Sequence, residues 1–316
     1  MNWHQLITTK RFGQEDYHKP HSDDTRSEFQ RDFDRLIFSA PFRRLQNKTQ
    51  VFPLPGSIFV HNRLTHSLEV ACVGRSLSER IAITLKERHP EERNKLESIG
   101  DIVSAACLAH DMGNPPFGHS GERAIQTFFS EGEGKQLQND MSDEQWADCT
   151  CFEGNANAFR LLTHQFIGRR EGGFVLTYPT IASVIKYPFS AINAPKKKFG
   201  YFTADKENFA RVATELGTDT GDKILRHPLV YLTEAADDIC YQIMDLEDAF
   251  KLKILTMNQT QELLLSFLSP ERQDKVIENM QRVADENEQI AYLRSCAIGT
   301  LTNACCNTFL DNEDNI

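Results

Sequence analysis

An adjacent imidazole and carboxylate, His110-Asp111, end an apolar run and open onto the loop Met112-Gly113-Asn114-Pro115-Pro116-Phe117-Gly118, which closes on a second imidazole, His119. Imidazole nitrogen and carboxylate oxygen together suit Mn, Fe, Zn, Ni and, more weakly, Mg. A helix ending at the pair would hold both groups rigidly while the loop carries His119 back toward them. His66, in Arg63-Leu64-Thr65-His66-Ser67-Leu68-Glu69, and Asp237, in Glu234-Ala235-Ala236-Asp237-Asp238-Ile239-Cys240-Tyr241, offer the same donor chemistry. Two imidazoles and two carboxylates leave positions open on an octahedral ion for water and substrate. His110 follows Val103 and Cys107 at helical spacing, on a face that is otherwise apolar. A lone histidine there is ordinarily a satisfied core residue, but several acidic and imidazole groups on apolar faces would be costly to bury unpaired. Beyond Pro228, Asp237, Tyr241 and Asp245 recur at i, i+4, i+8, with Glu234 a turn earlier. A solvated acidic stripe with Ile239, Ile243 and Leu246 turned inward reads that pattern equally well, and spacing does not choose between Asp237 and Asp238.

Helical periodicity dominates the elements that must carry these residues. One or two helices are expected over 26–46, with Phe29, Phe33, Leu36 and Ile37 inward, followed by a loop over Lys48–Val60 that holds Pro53, Pro55 and Gly56. A long helix from about Arg63 to His89, with Leu64, Leu68, Ala71, Val73, Leu77 and Ile81 buried, would stop at Pro90. The next, Leu96–Asp111, ends at Gly113 and two prolines. Ser120 is expected to cap a helix running through Phe128 and Phe129. Residues 131–151 read as a polar, mobile insertion. Further helices are expected at 153–166, 179–187, 205–216 and 227–253, and 257–310 is mostly helical in pattern. Without repeats or linkers, this describes an all-α catalytic domain over 1–255 and an appended helical region over 256–316, expected to be incomplete.

With 316 residues, the chain can bury a large core. Hydrophobic residues at 40% and charged residues at 25% give the balance of a soluble globular protein. No apolar run approaches the ~20 residues of a membrane helix. The start, Met1-Asn2-Trp3-His4-Gln5-Leu6-Ile7, lacks a secretory pattern, so the expectation is a cytoplasmic protein with no membrane partner. The eight cysteines include no Cys-x-x-Cys pair and read as reduced thiols. A net charge of −10 argues against a generic nucleic-acid coat protein. Lys196-Lys197-Lys198, beside Phe199 and Tyr201, is the one place for single-stranded nucleic acid or phosphate to dock; a solvated loop is the plainer reading.

Five ordered motifs then carry a resemblance over about residues 26–250. They are Arg43-Arg44-Leu45-Gln46-Asn47-Lys48-Thr49-Gln50-Val51, the Arg63–Glu69 run, His110-Asp111 with His119-Ser120-Gly121-Glu122, Phe152-Glu153-Gly154-Asn155, and Glu234–Tyr241. Together they resemble the deoxyguanosine triphosphate triphosphohydrolases of the HD phosphohydrolase superfamily. The resemblance implies an HD-domain helical bundle and one divalent ion, Mn or Mg foremost with Fe, Ni or Zn as others, on His66, His110, Asp111 and Asp237. Its Asp-x3-Tyr-x3-Asp spacing selects Asp237 over Asp238. It also implies that water attacks the α-phosphorus of a deoxynucleoside triphosphate, dGTP foremost, releasing deoxynucleoside and inorganic triphosphate. His119 would act as general acid or base, or stabilise charge, with Glu122 orienting it. Arg63 would grip phosphate, Gln46 would read the 3′-hydroxyl, Tyr241 would lie under the sugar, and Asp245 would accept from the 3′-hydroxyl side. Lys186, in Lys186-Tyr187-Pro188, would approach the polyphosphate. A homo-oligomer and a single-stranded DNA or dNTP effector are the implied partners, and family members continue with a further helical region. Two alternatives stand beside this: an HD-type deoxynucleoside monophosphate phosphatase, and a nucleotide- or single-stranded-DNA-sensing HD protein with little turnover.

Overall fold

Short polar caps and proline punctuation break the chain into helices, beginning with α1 (Trp3–Leu6). The structure is a computed structural model that describes residues 1–16, 25–52, 60–168 and 171–316. Part of the loop expected over Lys48–Val60, including Pro53, Pro55 and Gly56, lies outside the described residues. Ser27 and Gln30 form a capping box that starts α2 (Glu28–Ile37), and Ser39 with Pro41 starts α3 (Ala40–Arg44). Asn62 accepts from the backbone of both Leu64 and Thr65 at 3.0 Å and so begins α4 (Arg63–Arg88), which stops before Pro90. α5 (Arg93–Leu96) and the apolar α6 (Ile99–Ala109) follow.

Beyond the His-Asp pair come α7 (His119–Ser130), α8 (Asp143–Thr150), α9 (Gly154–Thr163), α10 (Tyr178–Ala182) and α11 (Lys206–Glu215). α12 (Val230–Lys251) carries the acidic motif, and α13 (Met257–Leu265), α14 (Pro270–Met280) and α15 (Glu286–Asp311) complete the chain. The described residues contain no strand, only isolated bridges such as Thr49 with Asn62; the protein is all-α. No described helix is long and apolar enough to cross a membrane.

Besides the helix expected over 179–187, which ends at Ala182, three local expectations change. Residues 131–151, read as a polar, mobile insertion, are helical: a 3-10 helix over Glu133–Asp140 leads into α8, where Ser142 and Gln145 form a capping box. The cause is aromatic packing, since Trp146 meets the edge of Phe129 with ring centroids 6.4 Å apart and Asp148 accepts from the Thr203 backbone at 2.6 Å. Ser120 does not cap α7. The helix starts one residue earlier, after Gly118, and the Ser120 hydroxyl instead accepts from Arg123 at 3.0 Å. Leu68 is exposed and Leu64 half-buried, because the first turns of α4 bury Arg63, His66 and Ser67 instead.

The core lies where α4, α6 and α12 pack together, with Leu77, Ile81, Val103, Leu108 and Ile239 among its residues. At about 25 cal/mol per Å² of apolar surface, this burial is the main drive holding the three site-bearing helices side by side. A second apolar cluster gathers Leu264, Leu265, Val276, Met280, Ile290 and Leu293 from α13, α14 and α15 around Ile243 of α12. Farther along α15, Cys306 and Phe309 join the main core.

Candidate metal centre and active site

α6 is buried along nearly its whole length, so its C-terminal end is a rigid platform, and His110 and Asp111 sit on it. His110 Nδ1 lies 2.6 Å from the Cys107 carbonyl, which can only accept, so that nitrogen carries the proton. In the neutral ring Nε2 therefore presents a lone pair. It lies 3.3 Å from Asp237 Oδ1 on α12 and 3.6 Å from Asp111 Oδ1. His66, from the first turn of α4, brings its Nε2 to 3.1 Å from the same Asp237 oxygen. The two imidazole rings meet edge to face at 5.4 Å. His66, His110 and Asp111 each place a ligand atom within 4.8 Å of the others. Asp238, the neighbour that spacing left open, is exposed.

Both carboxylates of this cluster are held in their ionised form. Burial pushes the Asp111 carboxyl up, but His110, Arg63 and His66 outweigh it and hold the group below the ordinary carboxylate range. Burial likewise opposes ionisation of Asp237, and His110, His66 and Lys186 override it by a wide margin. His110 is drawn the other way: burial disfavours its charged form, and the facing carboxylates of Asp111 and Asp237 raise it overall. His110 Nε2 is buried with no hydrogen-bond partner among the described residues. A buried imidazole nitrogen that faces two carboxylates can release its proton to a divalent ion, and the nitrogen–oxygen donor set fits one.

Arg63 ties this cluster to the loop that follows. Its guanidinium donates to Asp111 Oδ2 at 2.5 Å, and its Nε is buried without a hydrogen-bond partner among the described residues. The other side of the guanidinium lies against Gly118, where an added Cβ would come within 2.6 Å of it; Gly118 also has φ +52°. Only glycine meets both demands readily. The next residue is His119, which is exposed and places Nδ1 2.7 Å from Glu122 Oε2. Glu122 is buried, and its other oxygen accepts from the Gly154 backbone at 2.8 Å. Burial alone would raise Glu122, but His119, the Gly154 amide and Lys198 lower it, so an ionised carboxylate holds the proton on His119 Nδ1 and leaves Nε2 outward.

The remaining sequence candidates are spread around this centre. Lys186, on the loop after α10, donates to Asp237 Oδ2 at 2.9 Å. Tyr241 is half-exposed and Asp245 partly buried, one and two turns beyond Asp237 on α12. Gln46 is exposed in the turn after α3, apart from the cluster of hydrogen bonds just described. Three residues were given no role by the sequence reading, and a fourth, Lys198, was read only as part of a basic run. Asn114 donates from its side chain to Asp111 Oδ1, and Lys48 donates to the Asn114 carbonyl at 2.6 Å. Gln50 has a buried side-chain oxygen with no hydrogen-bond partner among the described residues. Lys198 reaches Glu153 at 2.8 Å and Glu122 at 3.7 Å. Lys48, Gln50 and Asn114 lie within runs already singled out; what was missing was any rule for which member of each run turns inward. In the Lys196–Lys198 cluster, Phe199 is fully buried and Tyr201 stacks on Phe209 at 4.1 Å, so neither ring offers a free platform for a base; Lys196 and Lys197 are exposed.

Known proteins resemble this chain over most of its length. Residues 63–145 match the HD domain family. A deoxyguanosinetriphosphate triphosphohydrolase-like protein of Pseudomonas aeruginosa is 43% identical over 99% of this chain and 71% of its own length. A protein of the same description from Synechocystis is 40% identical over 100% of this chain and 73% of its own length. A deoxyguanosinetriphosphate triphosphohydrolase of Salmonella paratyphi A is 32% identical over 99% of this chain and 68% of its own length.

Proposed function

Because the chain belongs to the deoxyguanosinetriphosphate triphosphohydrolase-like family of HD-domain proteins, we propose that it hydrolyses deoxynucleoside triphosphates, dGTP foremost, to deoxynucleoside and inorganic triphosphate. The observation that carries the reading is the Arg63 guanidinium, which joins the His66/His110/Asp111/Asp237 cluster to the residue preceding His119. One divalent ion, Mn or Mg, held by those four side chains would polarise an α-phosphoryl oxygen and acidify water.

The protein's own groups supply the rest. Arg63 spends one arm of its guanidinium on Asp111 and keeps donors for a phosphate oxygen. Lys186, already drawn to Asp237, places positive charge where the phosphate chain enters. Water attacks the α-phosphorus, and the bond from that phosphorus to the 5′-oxygen breaks. The 5′-oxygen leaves needing a proton, which His119 Nε2 exchanges with the attacking water or the leaving oxygen while Glu122 fixes the ring through Nδ1. Tyr241 and Asp245, farther along α12, line the sugar end. Gln46 was the amide first expected there, and the inward Gln50 is a second candidate for the same hydroxyl.

Incubation of the purified protein with dGTP and Mn²⁺ or Mg²⁺ should release deoxyguanosine and triphosphate, resolved by ion-exchange chromatography. Phosphate or pyrophosphate as the only inorganic product would overturn the reading. Release of phosphate from dGMP instead would favour the monophosphatase alternative.

A further inference from the structure

His61 lies just before the Asn62 cap of α4 and was absent from every motif above. Its side chain is largely buried, with about a tenth of its surface exposed. Nδ1 lies 2.7 Å from Asp248 Oδ1, Nε2 lies 3.0 Å from Glu69 Oε1, and the backbone N–H donates to Asp248 Oδ2 at 2.9 Å. Both ring nitrogens face carboxylates, so both must donate, and the ring is an imidazolium. Burial opposes that charge, but Asp248 and Glu69 overcome it and hold the proton up to about 10.

The two carboxylates belong to the two helices whose spacing the metal site depends on. Glu69 is one turn after His66 on α4, and Asp248 is three turns beyond Asp237 on α12, near the same face. We propose that His61 is a positioning residue, a strap between Glu69 and Asp248 that fixes the distance of His66 from Asp237 and thereby the affinity of the metal centre. The inference rests on the metal-dependent reading above. Two ligands of one ion that come from separate helices must be held to about 0.5 Å. Without His61, three acidic groups are left facing one another at the α4–α12 seam. Asp248 is buried, Glu69 has one buried oxygen without a hydrogen-bond partner among the described residues, and Asp245 is pushed up to about 6 by burial and by Asp248. Their mutual repulsion would part the helices that carry the ligands.

The test is Mn²⁺ binding to nucleotide-free protein, read by electron paramagnetic resonance, with circular dichroism to show that each variant is folded. H61A should bind Mn²⁺ about 10-fold more weakly, the loss typical of a missing outer-shell support. H61R, which keeps the cation and two donors, should return to within about threefold of the parent protein. E69Q, which removes one charged arm at a partly exposed position, should lose affinity by about threefold and stands in if H61A does not fold. A folded H61A or E69Q that binds Mn²⁺ as the parent does, even at a lower melting temperature, would overturn the strap. So would an H61R as weak as H61A. If the parent protein binds Mn²⁺ yet releases no triphosphate from dGTP, the functional reading fails while the affinity series still decides the strap. A parent protein that takes up no Mn²⁺ overturns both.

Discussion

Asp111 shows how heavily one carboxylate is used. Arg63 and Asn114 donate to its two oxygens while His110 stands beside it. Replacing it with alanine removes a proposed ligand and leaves the buried Arg63 cation without its partner, a costly combination. D111A should therefore retain less than a tenth of the parent's metal by elemental analysis, the scale of loss expected when a site loses a supporting group. Stoichiometric metal in D111A would refute the ligand set. His119 is placed differently: it is exposed, it bonds only Glu122 among the contacts described, and its removal disturbs little of the core. H119A should keep metal and fold but lose about 10²–10⁴-fold in kcat, the usual share of a general acid or base. The two candidate amides can be separated in the same way. Q50A should raise KM for dGTP while Q46A leaves it near the parent value, because only Gln50 turns a polar atom inward.

At the scale of the element, the first turn of α4 matters most, since it holds Arg63 and His66 and depends on a single cap. Asn62 accepts from two backbone amides, and Thr65 returns a bond to the Asn62 backbone. N62A should cost about 1 kcal/mol in urea denaturation, the usual worth of an N-cap. The existence of α4, α6, α7, α9 and α12 was legible because their apolar spacing is regular and Pro or Gly marks their ends. The misreadings share one cause. Periodicity locates the side of a helix that is buried but not what buries it. Leu68 therefore read as core although buried polar side chains occupy that end of α4, and 131–151 read as a polar insertion although Trp146 packs on Phe129. Ser120 was chosen as a cap by residue type, whereas the turn at Gly118 had already set where α7 begins.

Across the whole molecule, buried histidines join distant segments and give stability a definite pH profile. His227 is fully enclosed; Nε2 lies 3.0 Å from the Leu6 carbonyl and Nδ1 accepts from the Leu229 backbone at 3.2 Å. With no carboxylate to favour its charge, burial lowers it to about 4. The unfolded chain then binds a proton near 6.5 that the folded chain refuses, so stability is lost as pH falls from about 6.5 toward 4. His61 has the opposite sign: its contribution is complete below about 6.5 and is lost as pH rises toward 10. Urea midpoints taken from pH 4.5 to 9.5 should peak near pH 6.5, and H227N should flatten the acid limb. At the far end of the chain, Glu313 accepts from Trp3 at 3.3 Å and Arg88 at 3.0 Å and pairs with His89 at 2.6 Å, linking the first helix to the last turn.

The sequence by itself determined the all-α class and, through its ordered motifs, the family, because helix period, stop signals and motif order are written along the chain. It left Asp237 and Asp238 equivalent by spacing, and the resemblance had to choose between them. Only the packing of α4, α6 and α12 turned Asp237 toward two imidazoles and left Asp238 in solvent. The same packing brought Arg63 under Gly118, Lys48 onto the Asn114 carbonyl and His61 between two helices. Such contacts join residues dozens of positions apart, and no local spacing encodes the direction in which each side chain turns once the helices meet.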